Sequence, residues 1–151
     1  MKGYFRREDL TRAVVHSGWF HTGDVGFRDG QGDIFLTGRA VEEINKGGLK
    51  VQPQDVENVA VSCPSVTDAC AFAVDDAFYG QNVALAVVMD AAPESLAVLE
   101  QWMREHLSPH KLPAVWYRLD ALPRTPRGKL HRPTVAKLCA TLVPVLGKVA
   151  P

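Results

Sequence analysis

VTDACAFAVDDAFYGQNVALAVVM, residues 66–89, holds two apolar runs parted by a short polar break. Residues 66–74 and 82–89 are rich in small and β-branched side chains, and each is short enough to read as a buried strand. The segments around them have helical period. Upstream, Pro53 suits the first turn of a helix reaching about Ser62, with Val56, Val59 and Ala60 on one face. Asp55 and Glu57 stand near its N-terminus, where the helix dipole favours anions. Downstream, Leu96, Leu99, Met103 and Leu107 mark a helix over 95–107. Residues 114–119 read as another strand, and 134–146 as a last helix whose end Pro144 disturbs. Before all of these, 41–45 is a short strand leading into a turn at Gly47-Gly48. The order β, α, β, β, α, β, α predicts an α+β domain, a small mixed sheet of three or more strands with helices packed on it.

The first 39 residues read differently. Residues 8–15 suit two short helical turns. In GWFHTGDVGFRDGQGDIFLTGR, residues 18–39, aromatic and β-branched residues alternate with polar ones on both sides of Asp29-Gly30-Gln31-Gly32. That is a β-hairpin signal. Two strands alone are marginal in water. Trp19, Phe20, Ile34, Phe35 and Leu36 therefore call for a covering layer that this segment does not supply.

Composition removes several function classes. Of 151 residues, 46% are hydrophobic and 23% charged, which excludes a disordered or collagenous chain. Seventeen Lys and Arg balance seventeen Asp and Glu, which argues against binding nucleic acid or an anionic membrane by bulk charge. No apolar run has the length of a membrane span. Basic residues in MKGYFRRED are not followed by an apolar core, so a signal peptide is not expected and the cytoplasm is. Cys63, Cys70 and Cys139 form an odd set without CxxC spacing, which reads as buried thiols rather than a disulfide frame or zinc cluster. His106 and His110 are separated by helix-breaking Pro109, and Asp24, Asp29 and Asp33 do not fit an EF-hand loop, so no metal site is expected.

Three stretches carry residues suited to chemistry. PRTPRGKLHR, residues 123–132, offers Arg124, Arg127, Lys129, His131 and Arg132, with Pro123 and Pro126 stiffening the approach. Gly128 permits an unusual turn just before Lys129. Such a loop can deliver a cation to a phosphate or carboxylate, or it can be a solvated basic loop. In His21-Thr22-Gly23-Asp24, the carboxylate beside the turn can accept hydrogen bonds from two ribose hydroxyls, or it can cap the turn. In NKGGLKVQP, residues 45–53, Gly47-Gly48 lets a backbone pass close to a ligand, or simply closes a hairpin.

The order of these stretches is more specific than any one of them. GYF at 3–5, GWFHTGDVG at 18–26, DIFLTGR at 33–39, NKGGLKVQPQDVENV at 45–59, YGQNVALAVV at 79–88 and LPRTPRGKLHR at 122–132 occur together. In that order the chain resembles the C-terminal portion of adenylate-forming enzymes, the superfamily of acyl-CoA synthetases, luciferases and peptide-synthetase adenylation domains. The resemblance runs from about residue 3 to 133, and 44–48 is most similar to acyl-CoA synthetases.

The resemblance implies a two-step reaction. A carboxylate attacks the α-phosphate of Mg-ATP to give an acyl-adenylate, and a thiol then displaces AMP. It implies a large N-terminal adenylation domain holding ATP and the acid, outside these residues. Residues 1–39 would be the last hairpin segment of that domain, and 40–151 a C-terminal lid that swings between two poses. By position, Asp24 would bind the ribose hydroxyls, and Arg39 would reach the nucleotide and form the hinge with Ala40 and Val41. Lys129 would bridge acid and phosphate oxygens in the first pose. Gly47 and Gly48 would let the pantetheine arm of coenzyme A pass in the second, with Lys46 or Lys50 near the CoA phosphates. ATP or AMP with magnesium, and CoA or a carrier-protein thiol, are the implied ligands, and no nucleic acid or membrane.

One position departs from the pattern. The superfamily usually has Asp or Lys two positions after the hinge arginine, where this chain has Val41, which cannot make polar hinge contacts. That leaves open an altered swing, or a degenerate copy acting as a stand-alone, non-catalytic binding module for CoA, a carrier protein or a partner synthetase. By itself the chain is not expected to form adenylate, and the open hairpin edge is available for self-association.

Overall fold

The structure, a computed structural model, describes residues 1–89 and 95–147. The chain forms two units, Met1–Val41 and a second that begins at Glu42.

In the first unit, helix α1 (Glu8–Val14) carries Glu8 and Asp9 in its first turn and Arg12 in its last, the charge order its dipole favours. It leads into a ribbon of β1 (Val15–His16) and β2 (Trp19–Phe20), closed by Ser17 and Gly18 at φ of 51° and 81°. The alternation pattern did not reveal this ribbon, because two residues per strand are too few to show a period. The expected hairpin follows as β3 (Asp24–Arg28) and β4 (Ile34–Arg39), antiparallel around the Asp29 turn. Asp29 Oδ1 accepts the N–H groups of Gln31 and Asp33 at 2.9 and 3.0 Å. Phe27 stacks on Phe35 at 5.2 Å. Trp19, Phe20, Phe27, Ile34, Phe35 and Leu36 are all exposed, as a hairpin without a covering layer requires.

A single 3-10 turn, Ala40–Glu42, leads into the second unit. The strand expected at 41–45 is displaced. Residues Ile44–Lys46 form β5, and Leu49–Val51 form β6, which closes a hairpin on it. Of the two residues before β5, Glu42 ends the 3-10 turn and pairs with Arg132, and Glu43 pairs with Lys50 on β6. Then come α2 (Pro53–Val61), β7 (Val66–Asp76), β8 (Gly80–Met89), α3 (Ser95–His106), β9 (Val115–Arg118) and α4 (Arg132–Cys139). The sheet order is β6-β5-β8-β7, with β9 parallel to β8. Since β7 pairs along the whole of β8, β5 and β9 share the opposite edge of β8 end to end. The sheet is mixed, and α3 lies within the crossover that a parallel pair needs.

The apolar runs at 66–89 are continuous because both faces of the sheet are covered. Val83, Leu85, Val87 and Met89 face α2 and α3, where Val56, Ala60, Leu99 and Met103 are buried. Ala84, Ala86, Cys70 and Phe72 face α4, through Val135 and Cys139. All three cysteines are free and buried. Burial pushes the thiol of Cys70 up to about 12 and that of Cys139 up to about 11, so both stay protonated.

Helix α4 is shorter than the 134–146 expected, and it stops at Cys139, well before Pro144. Residues beyond it run back along β9. The Trp116 N–H donates to Leu146 O at 2.9 Å, and the Val145 N–H to Trp116 O at 2.8 Å. Those bonds satisfy outward groups of β9 that a longer helix would leave open. Among the described residues, no helix is long and apolar enough to cross a membrane, and no group of three His, Cys, Asp or Glu is placed to hold a metal.

Candidate functional site

The register of the first hairpin sets Asp24, at the start of β3, opposite Arg39, at the end of β4. Their side chains meet, with Arg39 Nε 3.1 Å from Asp24 Oδ1. The Asp24 N–H donates to Thr22 Oγ1 at 3.0 Å, and the Ala40 N–H to Gly23 O at 2.9 Å. A carboxylate and a guanidinium are thus held side by side at the joint. Val41 is 86% exposed, an apolar residue where a polar one was expected.

In the second unit, Lys46 pairs with Leu49, so Gly47 and Gly48 alone form the turn between β5 and β6. Their φ values of 59° and 90° are both left-handed, the geometry of a two-residue hairpin turn that glycine adopts without strain. The Gly47 N–H donates to Tyr79 O at 3.0 Å, which ties this turn to the one joining β7 and β8. A Cβ on Gly47 would come 2.9 Å from the Tyr79 ring, while one on Gly48 would meet nothing within 4 Å. The Gly48 side of the turn is therefore open backbone. Lys46 Nζ sits 5.6 Å from the Tyr79 ring centroid, and burial lowers its pKa, with Asp76 opposing. Lys50 is engaged with Glu43 at 2.9 Å.

Asp76 organises the neighbouring turn. Its Oδ1 accepts the N–H groups of Phe78 and Tyr79, each at 2.9 Å, and its Oδ2 the Asn82 amide at 2.8 Å. These bonds to the charged form, the Asn82 amide first, lower its pKa. A depressed folded pKa gives stability that is present above the unfolded value and is lost as pH falls through the folded one. The turn is expected to hold until the pH drops below the usual carboxylate range. An NMR titration of the Asp76 carboxyl should show a midpoint below that of an ordinary solvent-exposed aspartate. A midpoint equal to or above that of such an aspartate would mean that these hydrogen bonds do not favour the charged form.

The loop at 123–131 is a small hairpin. Arg124 bridges to Leu130, the Thr125 N–H donates to Lys129 O at 2.7 Å, and the Gly128 N–H to Thr125 O at 2.8 Å. Pro126 takes the second position of that turn, where its fixed φ fits. Arg124 spans from the loop to the sheet, donating to Gly128 O at 3.1 Å and to the carboxylate of Asp68 on β7. Lys129 is exposed directly after the turn, and among the described residues no carboxylate lies within ion-pair distance of its ammonium. After the loop, Arg132 donates to Glu42 Oε2 and to Glu57 Oε2, both at 2.7 Å. Glu57 Oε1 accepts the Ala71 N–H at 2.9 Å. Burial raises the pKa of Glu57, against the lowering pull of Arg132.

Sequence reading missed the Arg132 cluster and the Arg124–Asp68 pair. It set Glu57 beside Asp55 as a dipole partner of the helix N-terminus. Asp55 instead pairs with Lys111 at 2.6 Å, and Glu57 points inward. A usable signal was present, since Glu57 lies on the same helical stripe as Pro53, Val56 and Ala60, all buried. A charge on an apolar stripe needs a buried partner.

The two candidate stretches of this unit lie at opposite ends of β7. The Lys129 loop is tied to Asp68, near the start of β7, and the Gly47-Gly48 turn packs beside the turn at its end. Asp76 lies eight positions along β7 from Asp68, roughly 25 Å.

Residues 55–129 match the AMP-binding enzyme C-terminal domain family. Sulfoacetate–CoA ligase of Cupriavidus necator is 39% identical over 134 residues, which are 87% of this chain and 26% of that protein. Oxalate–CoA ligase of Arabidopsis thaliana is 36% identical over 140 residues, 90% of this chain and 27% of that one. The solved o-succinylbenzoate CoA synthetase of Bacillus subtilis, in complex with its acyl-adenylate intermediate, matches with a TM-score of 0.82 at 34% identity, over 88% of this chain and 27% of its own. The chain spans about a quarter of the length of the curated relatives it matches. By fold, motif order and these matches, the chain belongs to the adenylate-forming acyl-CoA synthetase superfamily, and to its AMP-binding C-terminal portion.

Proposed function

We propose that this chain supplies the mobile C-terminal part of an AMP-forming acid–thiol ligase. In the first step a carboxylate oxygen bonds to the α-phosphorus of ATP and pyrophosphate leaves. In the second a thiol sulfur bonds to the acyl carbon, its proton is lost, and AMP leaves. Residues 1–39 act as the end of an adenylation domain and 40–151 as the lid. Lys129 neutralises charge gathering on the carboxylate and phosphate oxygens. The Asp24 carboxylate accepts the ribose hydroxyls, with Arg39 beside it for the nucleotide and as the hinge residue before Ala40 and Val41. The open backbone at Gly47-Gly48 lines the way of the pantetheine arm, with Lys46 beside it.

The observation that carries this reading is the placement of the Lys129 loop and the Gly47-Gly48 turn at opposite ends of β7. A rigid unit with both features cannot present them to one centre together, so two steps require two poses. The residues fit the ligands. A cation without a carboxylate partner suits anionic oxygens, and the Asp24–Arg39 pair offers an acceptor and a donor. Solved relatives hold AMP, ATP and an acyl-adenylate. Magnesium enters with the ATP phosphates, and no residue of this chain is assigned to it. Exposed Trp19, Phe27, Ile34 and Leu36 suit contact with the adenylation domain.

A stand-alone binding module is the second reading, and Val41 favours it. The built loop that presents Lys129 argues against it. The test measures ATP–pyrophosphate exchange with this chain alone and with the chain joined to an adenylation domain. Exchange is expected only in the joined protein. Adenylate made by the chain alone, or a joined protein without exchange, would overturn the proposal.

A further inference from the structure

Resting on that reading of function, we infer that Arg132 is a positioning residue for Lys129, locking the foot of its loop to the first residues after the joint. Arg132 opens α4, three positions after Lys129. Its guanidinium is largely buried and donates to Glu42 and Glu57, both at 2.7 Å. Glu42 ends the 3-10 turn that contains Ala40 and Val41. Glu57 is fixed in turn by the Ala71 N–H of β7. The chain of contacts thus runs from Lys129 through the start of α4 to the joint and to the centre of β7.

Two charge-assisted bonds to a planar guanidinium fix direction as well as distance. An exposed lysine on a short hairpin has long reach and many rotamers, so its value in a transition state depends on how firmly its backbone is held. With Glu42 attached, rotation at the joint carries the Lys129 loop as one body. With Glu42 detached, that loop keeps its fold, through Arg124 and Asp68, but loses its link to the joint. Glu42 also stands next to Val41, where the usual polar hinge contact is absent. The bond to Arg132 gives the joint its polar attachment one position later.

The test uses the complete ligase, this chain joined to its adenylation domain, with Glu42→Gln as the main variant. Glu42 is partly exposed, and the substitution keeps its size. ATP–pyrophosphate exchange reports the first step, and thioester formation from added acyl-adenylate reports the second. Glu42→Gln is expected to slow exchange by about ten- to a hundredfold, with thioester formation within twofold of the parent and an unchanged melting midpoint. Arg132→Lys is expected to give the same split, since an ammonium cannot hold both carboxylates as a fork. Equal loss in both steps would mark a merely structural role, and unchanged exchange would show that the contact does not position Lys129. Either result overturns the inference. A parent ligase without exchange, or one whose exchange survives Lys129→Ala, would instead overturn the functional reading, and this inference with it.

Discussion

Lys129→Ala is expected to lower adenylate formation by about 10²–10³-fold, a loss of roughly 3–4 kcal/mol of transition-state stabilisation. The carboxylate and the phosphate are both anionic, and the first step draws them together while pyrophosphate departs. A cation delivered at that moment offsets repulsion that water would otherwise screen. Lys129 suits the task because its ammonium has no carboxylate partner among the described residues, so nothing within the unit has to be broken first. The effect should be confined to the first step. Thioester formation from supplied adenylate is expected to proceed at nearly the parent rate, because we propose the Gly47-Gly48 end of the unit, not Lys129, for that step. Single-turnover measurement of each step checks this. Exchange that persists undiminished in the variant would favour the binding module over the ligase.

Arg132→Ala is expected to destabilise the second unit by about 3–5 kcal/mol at neutral pH, the cost of leaving a buried carboxylate without its cation. Glu57 is only 5% exposed, and its remaining partner would be the Ala71 N–H. Glu42 contributes less, since its side chain is partly in solvent. The loss has a pH signature. Burial already raises the pKa of Glu57, and removing Arg132 takes away the group that lowers it. A carboxyl whose folded pKa is raised costs stability as pH rises through that value. The deficit of the variant should therefore shrink on acidification, as Glu57 takes up a proton and no longer needs a cation. Urea unfolding at neutral and mildly acidic pH gives both numbers. A deficit below 1 kcal/mol, or one independent of pH, would mean that Glu57 is not the group left stranded.

Much of this was legible in the sequence, for reasons of period and punctuation. The runs at 66–74 and 82–89 carry enough β-branched residues to read as strands, and Leu96, Leu99 and Met103 recur at helical spacing. Pro53 announced the start of α2. Three misreadings share a cause, because the deciding contact lies far along the chain. Helix α4 ends early since Val145 and Leu146 bond to β9. Glu57 turned inward since Arg132 lies 75 residues away, and Glu42 left the strand since the same arginine lies 90 residues away. For the candidate site residues, local chemistry decides more. Gly47-Gly48 form a tight turn, and Asp24 and Lys129 each directly follow one, so their neighbours in sequence show how they are presented. The groups that hold those turns in place, Arg124 with Asp68 and Tyr79 with Gly47, were not visible.

The way the sheet ends has a consequence for solubility. A strand at the margin of a sheet presents free amides and carbonyls that a strand from another molecule can join. On β7 one such amide, that of Ala71, is already taken by the Glu57 carboxylate, which the Arg132 guanidinium holds as an ion pair beside that strand. On β9 the returning residues Val145 and Leu146 occupy the outer bonds of Trp116. The ion cluster that ties down the lysine loop therefore also acts as a gatekeeper against cross-chain β-pairing. Substitutions that open it should raise the tendency of this unit to aggregate even where its fold survives.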